Sequence, residues 1–166
     1  MKKIILLLVT ISIAHTSYSQ AAASLRGGLV LSNGSTYFGP GASFQYGLNE
    51  NMVVGLNADY HIGSNSAYLM NIEPRFDYYL KSAFDGLHIG SNMSYVVRGI
   101  PETKIGPITV PSSSSGQLAL GGLAGYTHSL NDKLFVDASV GGAYFLTGKA
   151  VAIRPTLSLG YKFGGK

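Results

Sequence analysis

The chain has 166 residues, 46% of them hydrophobic and only 12% charged, with 22 Gly, 11 Tyr and neither Cys nor Trp. That charge content is about half the roughly 25% of an ordinary soluble domain, and the lack of Cys excludes a disulfide framework, a thiolate zinc site and a Cys nucleophile. A single domain is expected at this length; the formal charge of +4, part of it on Lys2 and Lys3, is too small for a nucleic-acid-binding surface.

Lys2 and Lys3 precede the apolar run 4–14, and a polar stretch ends in Ser17, Tyr18, Ser19 and Gln20. Small residues three and one before a cut after Ser19 fit a signal-peptidase site. The expectation is a cleaved leader over 1–19 and a single domain over 20–166. The apolar run is too short for the about 20 residues of a membrane-crossing helix. No second helical span follows, so a membrane-integral mature chain must be a β-barrel.

From Ser24 onward apolar residues alternate with small or polar ones, a period of two that sorts them onto opposite faces of strands. The pattern predicts eight strands, over 24–32, 40–48, 51–61, 67–80, 86–99, 117–130, 133–146 and 150–163. Short turns follow the even-numbered strands at 48–51, 81–86 and 130–133, which places them and both chain ends on the periplasmic side. The connections 32–39, 62–66, 100–116 and 146–149 then face outside. An even number of antiparallel strands closes without an exposed edge.

The charges fall on one phase only. Arg26, Asp59, Glu73, Arg75, Asp77, Arg98, Asp137, Arg154 and Lys162 lie on the small or polar phase, and the remaining charges of the mature chain lie in turns, loops or the tail. An Arg or Lys facing lipid at mid-membrane costs about 2–4 kcal/mol, so a charge-free phase running through eight strands reads as lipid-facing. A soluble periplasmic barrel of the lipocalin kind is the alternative. Its wetted exterior should carry about 25–35% charged residues, whereas the polar phase here is mostly Gly, Ser, Ala and Asn. Two aromatic girdles are expected as well: Tyr60, Tyr68, Tyr95 and Tyr144 outside, and Tyr46, Phe76, Tyr78, Tyr126, Tyr161 and Phe163 at the periplasmic rim. Pro74 and Pro155 fall inside strands and Pro40 begins one, which predicts bulges or register shifts there.

With these features the mature chain resembles the small eight-stranded outer-membrane β-barrel proteins of Gram-negative bacteria, the OmpA/OmpX-like class. Its most specific element is the last strand, Leu157-Ser158-Leu159-Gly160-Tyr161-Lys162-Phe163, similar to the aromatic-rich terminal strand those proteins present to the barrel-assembly machinery; here Gly164-Gly165-Lys166 follow it. The resemblance implies an all-β, up-and-down transmembrane barrel in the cell outer membrane. Its partners would be outer-membrane lipids and lipopolysaccharide, with the assembly machinery during insertion. No peptidoglycan-binding domain follows the barrel, so anchoring of the OmpA kind is not implied.

Some relatives in that class are lipid A deacylases or acyltransferases that use a His, a Ser and a carboxylate near the outer rim. Asp59, His61, Ser64 and Ser66 are the nearest match, but Ser64 is three residues beyond His61 and in a loop, while His88 and His128 lie near periplasmic turns. The expectation is therefore no catalytic residue, no cofactor-binding residue and no metal ligand. Eight strands leave room only for side chains, so Glu73, Arg75, Asp77, Arg98 and Arg154 are expected to pair into a plug with no open pore. The segment 100–116, with Pro101, Pro107 and Pro111, is either a protruding ribbon able to accept a surface protein by strand addition or a mobile loop, which its Ser and Pro content favours.

Overall fold

The computed structural model describes residues 20–105 and 108–164; the expected leader at 1–19 lies outside the described residues. The strands are β1 (Ala21–Ser32), β2 (Ser35–Gly47), β3 (Met52–Gly63), β4 (Tyr68–Tyr79), β5 (Gly86–Ile100), β6 (Thr103–Ile105), β7 (Ile108–Val110), β8 (Ser113–Ser129), β9 (Leu134–Phe145) and β10 (Val151–Phe163). Eight of them, β1 to β5 and β8 to β10, close into one antiparallel barrel, with β10 pairing β1 from Ala21↔Phe163 to Ser32↔Ala152. All eight expected strands are present. The expected soluble alternative is excluded by which phase faces out: Leu25, Leu56, Ile72, Ile89, Val140, Leu157 and Leu159 are each more than half exposed, whereas Glu73, Arg75, Asp77 and Asp137 are buried. Apolar exposure on this scale far exceeds the few hundred Å² tolerated on a soluble monomer.

The connections follow from local chemistry. In two periplasmic turns an Asn side chain caps the backbone in the same way: Asn49 Oδ1 accepts from Asn51 N and Met52 N at 2.9 and 2.8 Å, and Asn131 Oδ1 from Lys133 N and Leu134 N at 2.8 and 2.7 Å. These are Asx turns, favoured because the side chain substitutes for a backbone acceptor. The outer connection expected over 32–39 is shorter than that. Asn33 and Gly34 take positive φ (46° and 77°), the two-residue hairpin chemistry that matches strand twist, so β2 begins already at Ser35. The long connection also differs from the favoured mobile loop. β5 and β8 stay paired up to Ile100↔Ser113, and β6 and β7 continue beyond them as a second ladder from Thr103↔Val110 to Ile105↔Ile108.

The three strand prolines produce no bulge, contrary to expectation. Pairing lapses at two positions on one flank of each and resumes in unchanged register: beside Pro40 between Phe38↔Ile62 and Gly41↔Asp59, beside Pro74 between Ile72↔Tyr95 and Arg75↔Asn92, and beside Pro155 between Gly28↔Thr156 and Leu31↔Ile153. On the other flank Pro40 stays opposite Gly27, Pro74 opposite Leu56 and Pro155 opposite Val140. The missing N–H of a proline faces one neighbour only, so the loss is one-sided and the register survives.

The interior is closed at both ends by apolar side chains on the charge-bearing phase. Val30, Tyr37, Leu69, Val96, Ala119 and Phe145 pack together toward the outer mouth, and Ala22, Val53, Tyr79, Phe84 and Phe135 form a periplasmic floor. Phe84 comes from the turn after β4. Its backbone sits at φ 62° and its ring is fully buried, 6.1 Å from Tyr79 and 5.9 Å from Phe135. Gly160 lies opposite Phe135, and a Cβ there would collide with that ring, which is how glycine admits a bulky neighbour inside so narrow a cylinder.

Truncating a buried Phe removes both transfer energy and packing. Phe84→Ala is expected to lower the unfolding free energy in detergent by about 3 kcal/mol and to accelerate amide exchange at His88; an unchanged unfolding midpoint would show that the floor is not packed.

Candidate functional site: the barrel interior and the outer rim

Between the two apolar ends lies a layer of paired charges, placed there because every strand contributes its polar phase to the axis. Glu73 on β4 is the hub of the upper part. Its Oε2 accepts from Arg154 Nη1 at 2.5 Å and from Ser94 Oγ at 2.8 Å, and its Oε1 from Asn57 Nδ2 at 2.9 Å. Arg154 also reaches Asn92 Oδ1 at 3.3 Å. Arg26 Nε lies 3.1 Å from Asp59, whose other oxygen accepts from Asn71 Nδ2 at 3.2 Å.

The lower part is built on β4, β5 and β9. Arg75 grips Asp77 through two bonds, Nε to Oδ2 at 2.6 Å and Nη2 to Oδ1 at 2.7 Å. Asp137 Oδ2 meets His88 Nε2 at 2.7 Å and accepts from Thr127 Oγ1 at 2.8 Å. The His88 ring stacks on Tyr79 at 4.7 Å, which joins this layer to the floor. Each of the four interior carboxylates therefore has a cationic, imidazole or amide partner, as burial requires.

The expected plug is present, with one member displaced. Arg98 does not join Glu73, Asp77 or Arg154 but lies exposed near the outer mouth, 5.9 Å above the Tyr37 ring. It is two residues from the end of β5, where water is available and an aromatic face gives a cheaper contact than a buried carboxylate. Lys162, at the opposite end, donates to Ser129 Oγ at 3.0 Å. Two voids among these side chains hold about 20 Å³ each, one lined by Arg26, Asp59, His61 and Arg154, the other by Val30, Leu69, Val96 and Phe145. A void of that size is on the scale of a single water.

Of the residues considered for acyl chemistry, Asp59 and His61 line one interior void, and neither Ser64 nor Ser66 joins them. His61 and Asp59 point into the barrel, His61 only 6% exposed and without a partner for Nδ1. Ser64 and Ser66 lie in a one-turn 3₁₀ segment at the outer rim, exposed to solvent. Among the described residues no group of three or more His, Asp or Glu is arranged to hold a metal ion. His88 belongs to the interior network and His128 is exposed on the outward phase near the periplasmic end of β8.

The girdles take the expected places. Tyr60 and Tyr68 stack at 6.1 Å near the outer end, with Tyr95 and Tyr144 exposed nearby, and Tyr161 and Phe163 pack at 5.0 Å at the periplasmic end, with Phe76, Tyr78 and Tyr126 exposed beside them. Reasoning from alternation did not assign an inward role to Tyr37, Phe84, Phe135 or Phe145. For all but Phe84 the signal was present, since each shares the phase of the strand's charged or small residues near a strand end.

Removing one partner of a buried pair strands the other and costs about 3–5 kcal/mol, whereas replacing both with neutral groups is often close to neutral. Arg154→Met is accordingly expected to destabilise the barrel by about 3 kcal/mol in detergent, and Glu73→Gln combined with Arg154→Met to recover most of that loss. Equal stability of wild type and Arg154→Met would contradict a paired interior.

No protein-family model matches the chain, and no curated protein sequence matches it. Solved structures do. Neisserial surface protein A superposes with a TM-score of 0.60 at 17% identity, covering 87% of this chain and 95% of that one. The N-terminal β-barrel domain of Pseudomonas aeruginosa OprF gives 0.57 at 16% identity over 88% of this chain and all of that one. Ail, the attachment invasion locus protein of Yersinia pestis, gives 0.55 at 12% identity over 87% and 97%. The chain has the fold of the small eight-stranded outer-membrane β-barrels.

Proposed function

We propose that this chain is a non-enzymatic integral protein of the outer membrane that serves envelope structure and surface contact, and that it conducts nothing. The observation that carries this reading is the filled interior. Apolar ends seal a layer of mutually paired charges, two voids between them are of single-water size, and no pore-lining ring of unpaired charge of the kind that selects ions is present among the described residues. The lipid A-modifying alternative finds no support in the placement of Asp59, His61, Ser64 and Ser66.

The surface role rests on the ribbon over 100–116. β9 pairs β8 only from Ala119↔Phe145 downward, while β5 pairs β8 up to Ser113. Residues 113–117 therefore offer one unpaired backbone edge, formed by three serines, a glycine and Gln117, all but Gln117 exposed. It has none of the charges or prolines that usually protect an edge within its own length, so a surface protein can be joined there by strand addition. During export, the aromatic-rich β10 would be the segment read by the assembly machinery.

Reconstituted into planar bilayers, the wild-type chain is expected to give no stable conductance steps; regular steps would overturn the closed reading. Deleting 102–114 should leave the melting temperature in detergent nearly unchanged and abolish binding of cells that express the protein to host-cell surfaces. Undiminished binding would reject the ribbon as the contact site.

A further inference from the structure

The outward surface is not uniformly convex. Across β5, β8, β9, β10 and β1 it carries an apolar groove of about 970 Å³, whose lining includes Leu87, Ala124, Tyr126, Ala138, Leu157 and Gly27. Tyr126 and Leu87 stand near the periplasmic ends of their strands, and the groove's far end reaches Val140 and Pro155 at mid-strand. It therefore occupies the periplasmic half of the apolar band and continues the surface already assigned to hydrocarbon. We propose that this groove is a binding site for one phospholipid of the periplasm-facing leaflet, its acyl chain lying over Ala124, Ala138 and Gly27 and a zwitterionic headgroup resting on the Lys81–Asp85 pair. The inference depends on the transmembrane reading.

Three observations lead there. First, the hollow is not demanded by the chain's own packing. A Cβ at Gly27 would meet nothing within 4 Å, unlike one at the inward Gly160, which would strike Phe135. Second, the hollow ends beside charges of both signs. Leu80 lines it, and the next residue, Lys81, is 73% exposed with its Nζ bonded to Asp85 Oδ2 at 2.5 Å across the turn. That bond raises the Lys81 ammonium and lowers the Asp85 carboxyl from their usual values, so both remain ionised at neutral pH. A cation and an anion side by side complement a phosphate and an ammonium side by side, whereas a purely anionic headgroup would meet Asp85 as a like charge. Third, a second copy of the chain is a poor occupant. A two-fold contact sets the same patch against itself, and here it would oppose two concave faces and leave the space between them empty.

The test uses the full-length mature barrel refolded into vesicles of dioleoyl phosphatidylethanolamine and dioleoyl phosphatidylglycerol, extracted into mild detergent and weighed intact by native mass spectrometry. Protease protection in the vesicles is measured first; a wild-type chain left unprotected would remove the transmembrane reading and this site with it. With protection established, the wild type is expected to retain one phosphatidylethanolamine. Ala138→Leu, which fills the groove with a side chain suited to hydrocarbon, should insert equally well and reduce the lipid-bound fraction severalfold. Lys81→Ser with Asp85→Ser should keep the bound lipid but remove the preference for phosphatidylethanolamine. Equal retention by wild type and Ala138→Leu would overturn the acyl site, and an unchanged headgroup preference in the double variant would overturn the role of the ion pair.

Discussion

The whole molecule depends on one constraint: no backbone or charged group can be left unpaired where water is absent. Closure of β10 on β1 removes the only sheet edges within the wall. The same constraint keeps every charge of the wall strands off the lipid-facing phase, and those in the middle of the barrel must find each other. Eight strands make a cylinder so narrow that they do, with Glu73 reached from β3, β5 and β10 at once and Asp137 from β5 and β8. The interior network is thus the consequence of placing hydrocarbon on the other side of the wall, and a closed barrel is the consequence of the network.

Stability is layered along the axis. The polar middle supplies pairing, while the apolar floor and outer cluster supply packing and keep water from competing for those pairs. Tyr79 links the two, stacking on His88 above and meeting the tilted ring of Phe84 below. Phe84 is held there by a turn with a backbone conformation that bulky residues seldom adopt. That turn also carries the Lys81–Asp85 pair, so one short segment both stoppers the cylinder and marks the membrane surface.

Most of the architecture was legible in the order of residues because a wall with two different solvents writes a strict period of two. Val151, Ile153, Leu157, Leu159, Tyr161 and Phe163 could only share a face, and Asp59, Glu73 and Asp137 could only share the other. What was not legible depended on partners far along the chain. Pro74 and Pro155 look like strand breakers in sequence, yet whether a lost N–H shifts the register depends on which neighbour it faced. Arg98 carries the same phase as Arg154, and only its height on β5 separates a residue at the mouth from one in the network. Phe84 sits in a turn, where alternation says nothing. The Asn33-Gly34 pair was a readable hairpin signal that the longer polar stretch around it obscured. As for function, the likeness to Neisserial surface protein A, the OprF barrel domain and Ail lies below 20% identity, so it extends to the fold, and the roles proposed for the ribbon and the groove rest on this chain's own geometry.

The claim on which everything else stands is that Leu25, Ile72, Val140, Leu157 and their neighbours are wetted by hydrocarbon. It is tested most directly by refolding the chain lacking 1–19 with and without detergent micelles and recording far-ultraviolet circular dichroism and sedimentation in parallel. The account predicts a β-rich monodisperse species only when the amphiphile is present, and aggregation otherwise. A monodisperse β-rich monomer in plain buffer would place the apolar phase inside and contradict it.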